Sequence, residues 1–597
     1  MLSSRGKGSP WAPLSWPCWR SPPSACWRCR SPWTTFSRGE AFRREETIPS
    51  PRPERKNSDE SRPLDILLIQ PPALKPAEPP LGLAVLLAHL RAQGLRAEAL
   101  DANLGATLYL LDPDRLAALA GPEPDTSTRR ALRHLPGSLA LLRSPRGGAS
   151  FARYETAVRY LNRLLALWGG PGGGERLTLG DYQHDTLSPF DPGDLERLGR
   201  GEARTLFSDY FRDEVLPRVE ASRPKIVALS VNYLHQALPA FELAGMLRRV
   251  LPEATLVAGG GLVTSWQEPL RRLDLRLEPF DRIVFGPGES PLGALASGHA
   301  GEDYFLEDSA SIGFAPDFSF AVLGDYLSPE PVLPLSASRG CYWKRCLFCP
   351  EAAAPVHPYA ATRPEDFPDL LLLLAAEHGV RHFHLTDNAV PVNVLRGMAA
   401  RSEELRGLSW HGFVRFEDAF EDPGFFGRLA ESGCRMLQLG LESGSQTVLD
   451  RLGKGIRLEA AARILTNLRE AGIAAYVYIM LGTPGEREAD AERTLAFLEE
   501  HADRIGFLNL SIMNLPRSSG LLDNPELYGI SDWAEIDEAN PLRLYREFSS
   551  VDGWDRAAAR RFLDRRLLGS PVVRAIVNRT PPLFTSNHAF FFGGGAV

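Results

Sequence analysis

Apolar positions follow two alternating rhythms along this chain. Leu64-Asp-Ile-Leu-Leu-Ile69 is a short apolar run stopped by Gln70-Pro71-Pro72, the pattern of a buried parallel strand. From Leu81 to Gln93 the apolar residues take helical spacing and end at Gly94, where glycine closes a helix. Ala97–Leu100, Lys225–Ser230, Ala254–Ala258 and Asp281–Phe285 repeat the strand signal, and Phe241–Val250 the helical one. Strands alternating with helices predict a doubly wound parallel sheet, with ligands at the carboxyl ends of the strands. A long insertion at about 104–220 interrupts this domain, and its pattern fits either a subdomain or a substrate-facing lid.

The alternation resumes downstream. Val332–Ser336, His382–Thr386, Ser409–Val414, Arg435–Gly440, Ala475–Leu481 and Arg504–Ile512 read as strands. Helical segments lie between them, such as Pro423–Glu431, Leu458–Ala471 and Glu488–Glu500. Six such units predict a partial (β/α)6 barrel with its site at the carboxyl ends of the strands. The chain therefore divides into a disordered or non-native extension over 1–62, an α/β domain over 63–300 and a linker over 301–331. A partial barrel over 332–515 and a helical C-terminal region over 516–597 complete it.

Composition sharpens this picture. Hydrophobic residues make 44% of the 597 and charged residues 24%, which suits packed globular domains. No apolar run reaches the roughly 18 residues of a membrane span. The net charge of −7 argues against a general nucleic-acid binder. Only six of the 67 basic residues are Lys, a bias that follows coding composition and carries no functional weight. Trp11, Trp16, Trp19, Trp27 and Trp33, with many Pro and Ser, mark the first sixty residues as unlike the rest,. Cys26-Trp-Arg-Cys29 there has redox or metal spacing but lacks the strand and helix that a thioredoxin-like site needs.

Seven cysteines exclude a disulfide-built scaffold,. Three of them fall within nine residues, Cys341-Tyr-Trp-Lys-Arg-Cys346-Leu-Phe348-Cys349, directly after a strand. Three thiolates on one loop can hold three irons of a cubane cluster and leave the fourth open. Spacing alone equally allows a zinc site completed by a histidine such as His357, or clustered buried thiols. Cys434 stands apart and reads as a small buried hydrophobe. The strand ends carry Thr386-Asp387-Asn388, Arg415, Glu442-Ser443-Gly-Ser445 and Gly482-Thr-Pro484-Gly485-Glu486. Any one of these could be a turn or a helix cap, but together they fall in phase with the strands.

The stretch 332–515 resembles a radical S-adenosylmethionine (SAM) core, through the cysteine triad with Phe348 before its third member, Leu439-Gly-Leu-Glu442-Ser443-Gly-Ser445 and Met480-Leu-Gly482-Thr-Pro484-Gly485-Glu486. The resemblance implies that Cys341, Cys346 and Cys349 ligate a [4Fe–4S] cluster whose fourth iron binds SAM. It places Glu442 and Ser443 against SAM, the Gly482–Gly485 backbone beside its adenine, Thr386, Asp387 and Asn388 near its amino group, and Arg415 near its carboxylate. The spacing Cys341-x4-Cys346 is one residue longer than the common pattern. Upstream, Gln70-Pro-Pro, Pro80-Leu-Gly82, Leu229-Ser230-Val231, Gly259-Gly260-Gly261 and Gly286-x-Gly288-Glu289 resemble the cobalamin-binding domains that precede such cores. There Ser230 and Gly259–Gly261 would flank the cofactor's nucleotide tail.

The Asp-x-His-x-x-Gly motif that ligates cobalt in methionine-synthase-type domains is absent, so the resemblance leaves cobalamin binding open. The implied function is reductive cleavage of SAM to a 5′-deoxyadenosyl radical, with cobalamin-dependent methyl transfer as its extension. The alternatives are a radical SAM enzyme without cobalamin and a zinc-stabilised binding module without catalysis. A small-molecule or peptide substrate, an electron donor such as flavodoxin or ferredoxin, and a reducing cytoplasm belong to the same expectation.

Overall fold

The computed structural model describes residues 63–592, apart from 171–173, 300–303, 307–314, 354–357, 537–538 and 583–584. The expectations for residues 1–62, including Cys18, Cys26 and Cys29, and for His357 lie outside the described residues.

Two six-stranded parallel sheets organise the molecule. The first contains β1 (Ile66–Gln70), β2 (Ala97–Asp101), β3 (Ile226–Ser230), β4 (Thr255–Gly259), β5 (Arg282–Phe285) and β6 (Tyr304–Leu306). Their spatial order is β2-β1-β3-β4-β5-β6. The order reverses between β1 and β3, which opens a crevice at their carboxyl ends. Every residue of β1 is buried, because helices cover both faces of a parallel sheet.

The second sheet contains β7 (Val332–Leu335), β8 (His382–Leu385), β9 (Ser409–Val414), β10 (Cys434–Glu442), β11 (Ala474–Leu481) and β12 (Phe507–Ile512). These strands lie side by side in chain order and form the expected partial barrel. Alternate residues point to opposite faces. Phe383, Leu385, Trp410, Leu437, Leu439, Val477 and Ile479 pack outward against the helices. His384, His411, Phe413, Gln438, Tyr476 and Tyr478 occupy the alternate, inner positions. A barrel interior normally carries branched aliphatic residues; here it is polar and aromatic.

The 104–220 insertion is a helical subdomain with one short hairpin, Glu175–Leu177 against Tyr182–His184. Its Tyr154, Leu161, Phe207 and Phe211 share one buried core with Phe241 and with Met436, Tyr476 and Phe507 of the barrel. That shared core packs the insertion as a helical subdomain against the barrel.

The C-terminal region carries the expected helical tail, preceded by two short β-ribbons, Leu515–Pro516 with Tyr545–Arg546 and Ile530–Trp533 with Phe548–Ser550. Helices follow over Arg556–Phe562 and Pro571–Arg579. The segment Thr585–Phe591 closes the base of the barrel. The His588 ring stacks on Tyr476 at 4.9 Å and Phe591 meets Tyr154 edge-on at 4.9 Å. Asn587 donates to the Leu327 carbonyl at 2.9 Å.

Candidate functional site

The cysteine loop leaves β7 and is braced from beneath by Asp387. The Asp387 carboxylate accepts from the Ala337 amide at 2.9 Å and from the Ser338 hydroxyl. Burial pushes Asp387 up to about 6, against the pull of these hydrogen bonds. Asp387 therefore positions the loop; both carboxylate oxygens are occupied by it.

The loop's far wall is a glycine turn, Gly453-Lys454-Gly455. Trp343 donates from Nε1 to the Gly453 carbonyl at 3.2 Å. Its ring lies where a Cβ on Gly455 would stand, 2.1 Å away. The Leu347 amide donates to the Leu452 carbonyl at 3.0 Å. Lys344 adopts a left-handed φ of 52°. The longer Cys341-x4-Cys346 segment is thus accommodated by seating Trp343 in the turn. Cys349 donates its amide to the Cys346 carbonyl at 3.0 Å, which closes the second half of the loop.

Two cations converge on this loop. Arg415, at the end of β9, places Nη1 3.7 Å from the Cys346 sulfur and donates from Nη2 to the Lys454 carbonyl at 2.6 Å. Its guanidinium lies 4.1 Å from the centre of the Trp343 ring, a stacking and cation–π contact. Nε donates to Glu417 at 3.2 Å, and Tyr342 donates to the same oxygen at 2.8 Å. Lys454 pairs with Glu442 at 2.7 Å. It lies 5.7 Å from the Phe348 ring centre. Burial pushes the Cys346 thiol up, while Lys454 and Arg415 pull it down.

Glu442 itself has a left-handed φ of 68°, a conformation that costs a non-glycine residue energy and clusters at functional sites. Gly440 leaves room for the pair, since a Cβ there would stand 2.5 Å from the Glu442 carboxylate.

The triad is gathered on one loop. Among the described residues, no three His, Cys, Asp or Glu side chains already form a metal-holding group. Cys434 is fully buried at the start of β10 in the layer between barrel and helices, at the opposite end of its strand from Glu442. It offers no fourth thiol to the loop. Three thiols flanked by two buried cations fit an anionic iron–sulfur cluster with one iron left open.

A cavity of about 1150 Å³ lies between the carboxyl ends of the two sheets. Ser230, Gly259, Gly260 and Gly261 line one side, and Cys349, Thr386 and Asn388 the other. Gly260 has φ 102°, and a Cβ on it would stand 2.6 Å from the Val231 carbonyl oxygen. The Ser230 hydroxyl accepts from Asn232 at 3.0 Å, whose own side-chain oxygen accepts from the Gly261 amide at 3.0 Å. Ion pairs cross the cavity's edges, Arg339 to Glu289 and Arg517 to Glu268. The space exceeds an ordinary small-ligand pocket and suits a large cofactor together with a second ligand. Its glycine-lined side fits a bulky group pressed against backbone.

Most of the expected site residues fall into three places. Ser230, Gly259–Gly261, Cys349, Thr386 and Asn388 share the cavity. Cys346, Phe348, Arg415 and Glu442 meet around Lys454, so Arg415 faces a cysteine sulfur directly. Ser443, Gly482, Pro484 and Gly485 are buried away from the cavity lining. Ser443 bonds the Thr494 hydroxyl at 3.2 Å and accepts from the Ser445 amide at 3.1 Å. Gly485 packs beneath Gly529 and Tyr528 of the C-terminal ribbon. Trp343, Glu417 and Lys454 were not among the expected residues. The Gly453-x-Gly455 spacing is the one sequence signal that could have pointed to them.

Comparison with known proteins agrees with the barrel and its loop. The Radical SAM superfamily model matches residues 335–498, so the barrel is a radical SAM domain. An uncharacterized methyltransferase of Pyrococcus horikoshii is 24% identical over 166 residues, 27% of this chain and 36% of that protein. The bacteriochlorophyllide d C-12(1)-methyltransferase of Chlorobaculum tepidum is 25% identical over 212 residues, 33% of this chain and 44% of that protein. The chain thus spans less than half the length of these relatives. Among solved structures, the radical SAM methyltransferase TsrM of Kitasatospora setae, with tryptophan and a SAM analogue bound, aligns over 86% of this chain and 88% of its own. Its TM-score is 0.49 and its identity 16%. No helix among the described residues is long and apolar enough to cross a membrane.

Proposed function

We propose that this protein is a radical SAM enzyme that cleaves SAM reductively at a [4Fe–4S] cluster and methylates its substrate with cobalamin held in the interdomain cavity. One observation carries the reading. The glycine-lined strand ends of the first sheet and the third cysteine of the triad wall the same cavity. Two relatives with methyltransferase activity in their names support it.

Bound there, these groups supply one-electron cleavage of a sulfonium bond and a transferable methyl group. The chain's own residues do the rest. Cys341, Cys346 and Cys349 would hold three irons. Arg415 and Lys454 set positive charge beside the Cys346 sulfur and favour its thiolate. Asp387 fixes the loop's entry and Trp343 its middle. Ser230 and Gly259–Gly261 would receive cobalamin's nucleotide tail. Glu442, Thr386 and Asn388 are assigned to SAM, with the Gly482–Gly485 turn beneath it. An electron donor such as flavodoxin or ferredoxin and a reducing cytoplasm belong to the reading.

A second reading, SAM cleavage without cobalamin, is favoured by one observation. Among the described residues, His89 is the one histidine lining the cavity, and its ring lies 2.9 Å from the Gln93 amide. Anaerobic reconstitution followed by iron analysis, cobalamin titration and product analysis with methyl-labelled SAM separates the cases. The proposal expects about four irons, tight cobalamin binding and label in the substrate. SAM cleavage with no cobalamin uptake selects the second reading. Stoichiometric zinc without iron overturns both.

A further inference from the structure

Beneath the cavity, the inner face of the barrel holds buried polar groups that the fold does not use. Gln438 on β10 has no exposed surface, and neither its Nε2 nor its Oε1 has a hydrogen-bond partner. His411 on β9 is 3% exposed, and its Nε2 also lacks a partner. Its ring stacks on His384 at 4.5 Å, and His384 Nδ1 lies 2.9 Å from Glu78. Glu78 belongs to the loop after β1, so both sheets contribute to the cluster. Buried polar atoms are paired in the great majority of cases, and an orphan calls for a cause. Three orphan atoms on two adjacent strands, within runs otherwise rich in leucine and aromatics, are poorly explained by packing, since an apolar residue would pack there without the desolvation cost.

The surroundings define what would satisfy them. Gln438 sits in register between Phe413 and Tyr476. Tyr478 lies 4.9 Å from the Phe413 ring and 4.8 Å from that of Tyr476. The amide is therefore flanked by aromatic rings. A side-chain amide offers a donor and an acceptor side by side, and matches a neutral group that offers the reverse pair. The Glu78 carboxylate disfavours an anion in the same space. The cluster lies directly below the cavity: Thr386 lines it, and His384 is the next inward position before Thr386 along the chain.

We propose that Gln438 and His411 form the substrate-recognition site of the barrel, and that the substrate presents a planar, neutral carboxamide or lactam edge to them. This rests on the enzymatic reading above and names its substrate class. The full chain, reconstituted anaerobically, is tested with benzamide as the probe and N,N-dimethylbenzamide as the donor-free control, by ligand-detected saturation-transfer NMR. Benzamide is expected to bind at least ten-fold more tightly than the control. Gln438→Leu is expected to lose at least ten-fold in benzamide affinity and to raise the thermal midpoint, because an unpaired amide leaves the core. Gln438→Met is read by the same criteria should the leucine variant fail to fold. Equal affinities for the two probes, unchanged affinity in the variant, or a lowered midpoint would overturn the proposal. Iron content and SAM cleavage are measured on the wild-type protein without probe, so failure of the enzymatic reading is seen separately.

Discussion

Arg415 holds one arm of its guanidinium 3.7 Å from the Cys346 sulfur and the other 2.6 Å from the carbonyl of Lys454. A single buried cation thereby ties the cysteine loop to the glycine turn that supports it. Arg415→Met removes the charge and these bonds while keeping much of the volume. The expected cost is about 3 kcal/mol of stability, the scale of lost hydrogen bonds to charged groups. The cluster's reduction potential should also move to more negative values, because a neighbouring positive charge favours the reduced cluster. Denaturant titration and anaerobic potentiometry measure the two effects. An unchanged potential would remove Arg415 from the electrostatics of the cluster.

Glu486 gives a pH signature. Burial raises its carboxyl to about 7, and its Oε1 has no partner. Between the ordinary value near 4.5 and about 7, the folded state holds a proton that the unfolded chain has released. Stability therefore falls as pH rises through that window. Glu486→Gln keeps the acceptor for the Thr483 amide and removes the titration. Relative to wild type, the variant should gain on the order of 3 kcal/mol as pH rises across the window, at about 1.4 kcal/mol for each pH step of one. Urea midpoints across that range give the difference. A constant difference with pH would mean that Glu486 does not titrate there.

Gly260 tests the other wall of the cavity. A Cβ there meets the Val231 backbone on three atoms within 2.8 Å, at a φ that side chains rarely adopt. Gly260→Ala should cost about 2 kcal/mol or more through strain and backbone displacement. Cobalamin titration should show at least ten-fold weaker uptake. Gly298→Ala, where a Cβ meets nothing within 4 Å, provides the control for left-handed strain alone. Equal cobalamin uptake by both variants would separate Gly260 from the cofactor.

Much of this architecture could be read from the chain because its strands are short apolar runs that end in unusual residues. Ser409–Val414 and Glu488–Glu500 fall where the pattern places them. The cysteine loop announces itself by spacing. Its socket does not, because Trp343, Glu417 and Lys454 meet only through loop packing across more than a hundred positions. The ribbons between Leu515 and Ser550 have strands of two to four residues, too few repeats to reveal a period of two. The inner-face polar positions were visible in principle. His384, His411 and Gln438 interrupt apolar strands at alternate positions, a break in pattern that functional sites tend to cause.

The core shared by the insertion, the first sheet and the barrel has a further consequence for timing. Helices from one continuous hydrophobic interior brace both walls of the cavity, so the two halves cannot part like a hinge without exposing that interior to water. Anything as large as the cavity must pass a rim guarded by Arg339–Glu289 and Arg517–Glu268. Opening these ion pairs would slow the entry of a large ligand and make it sensitive to salt, while small molecules would pass more freely. A large occupant would then stay through many turnovers as a fixture of the fold, and only the small reactants would come and go.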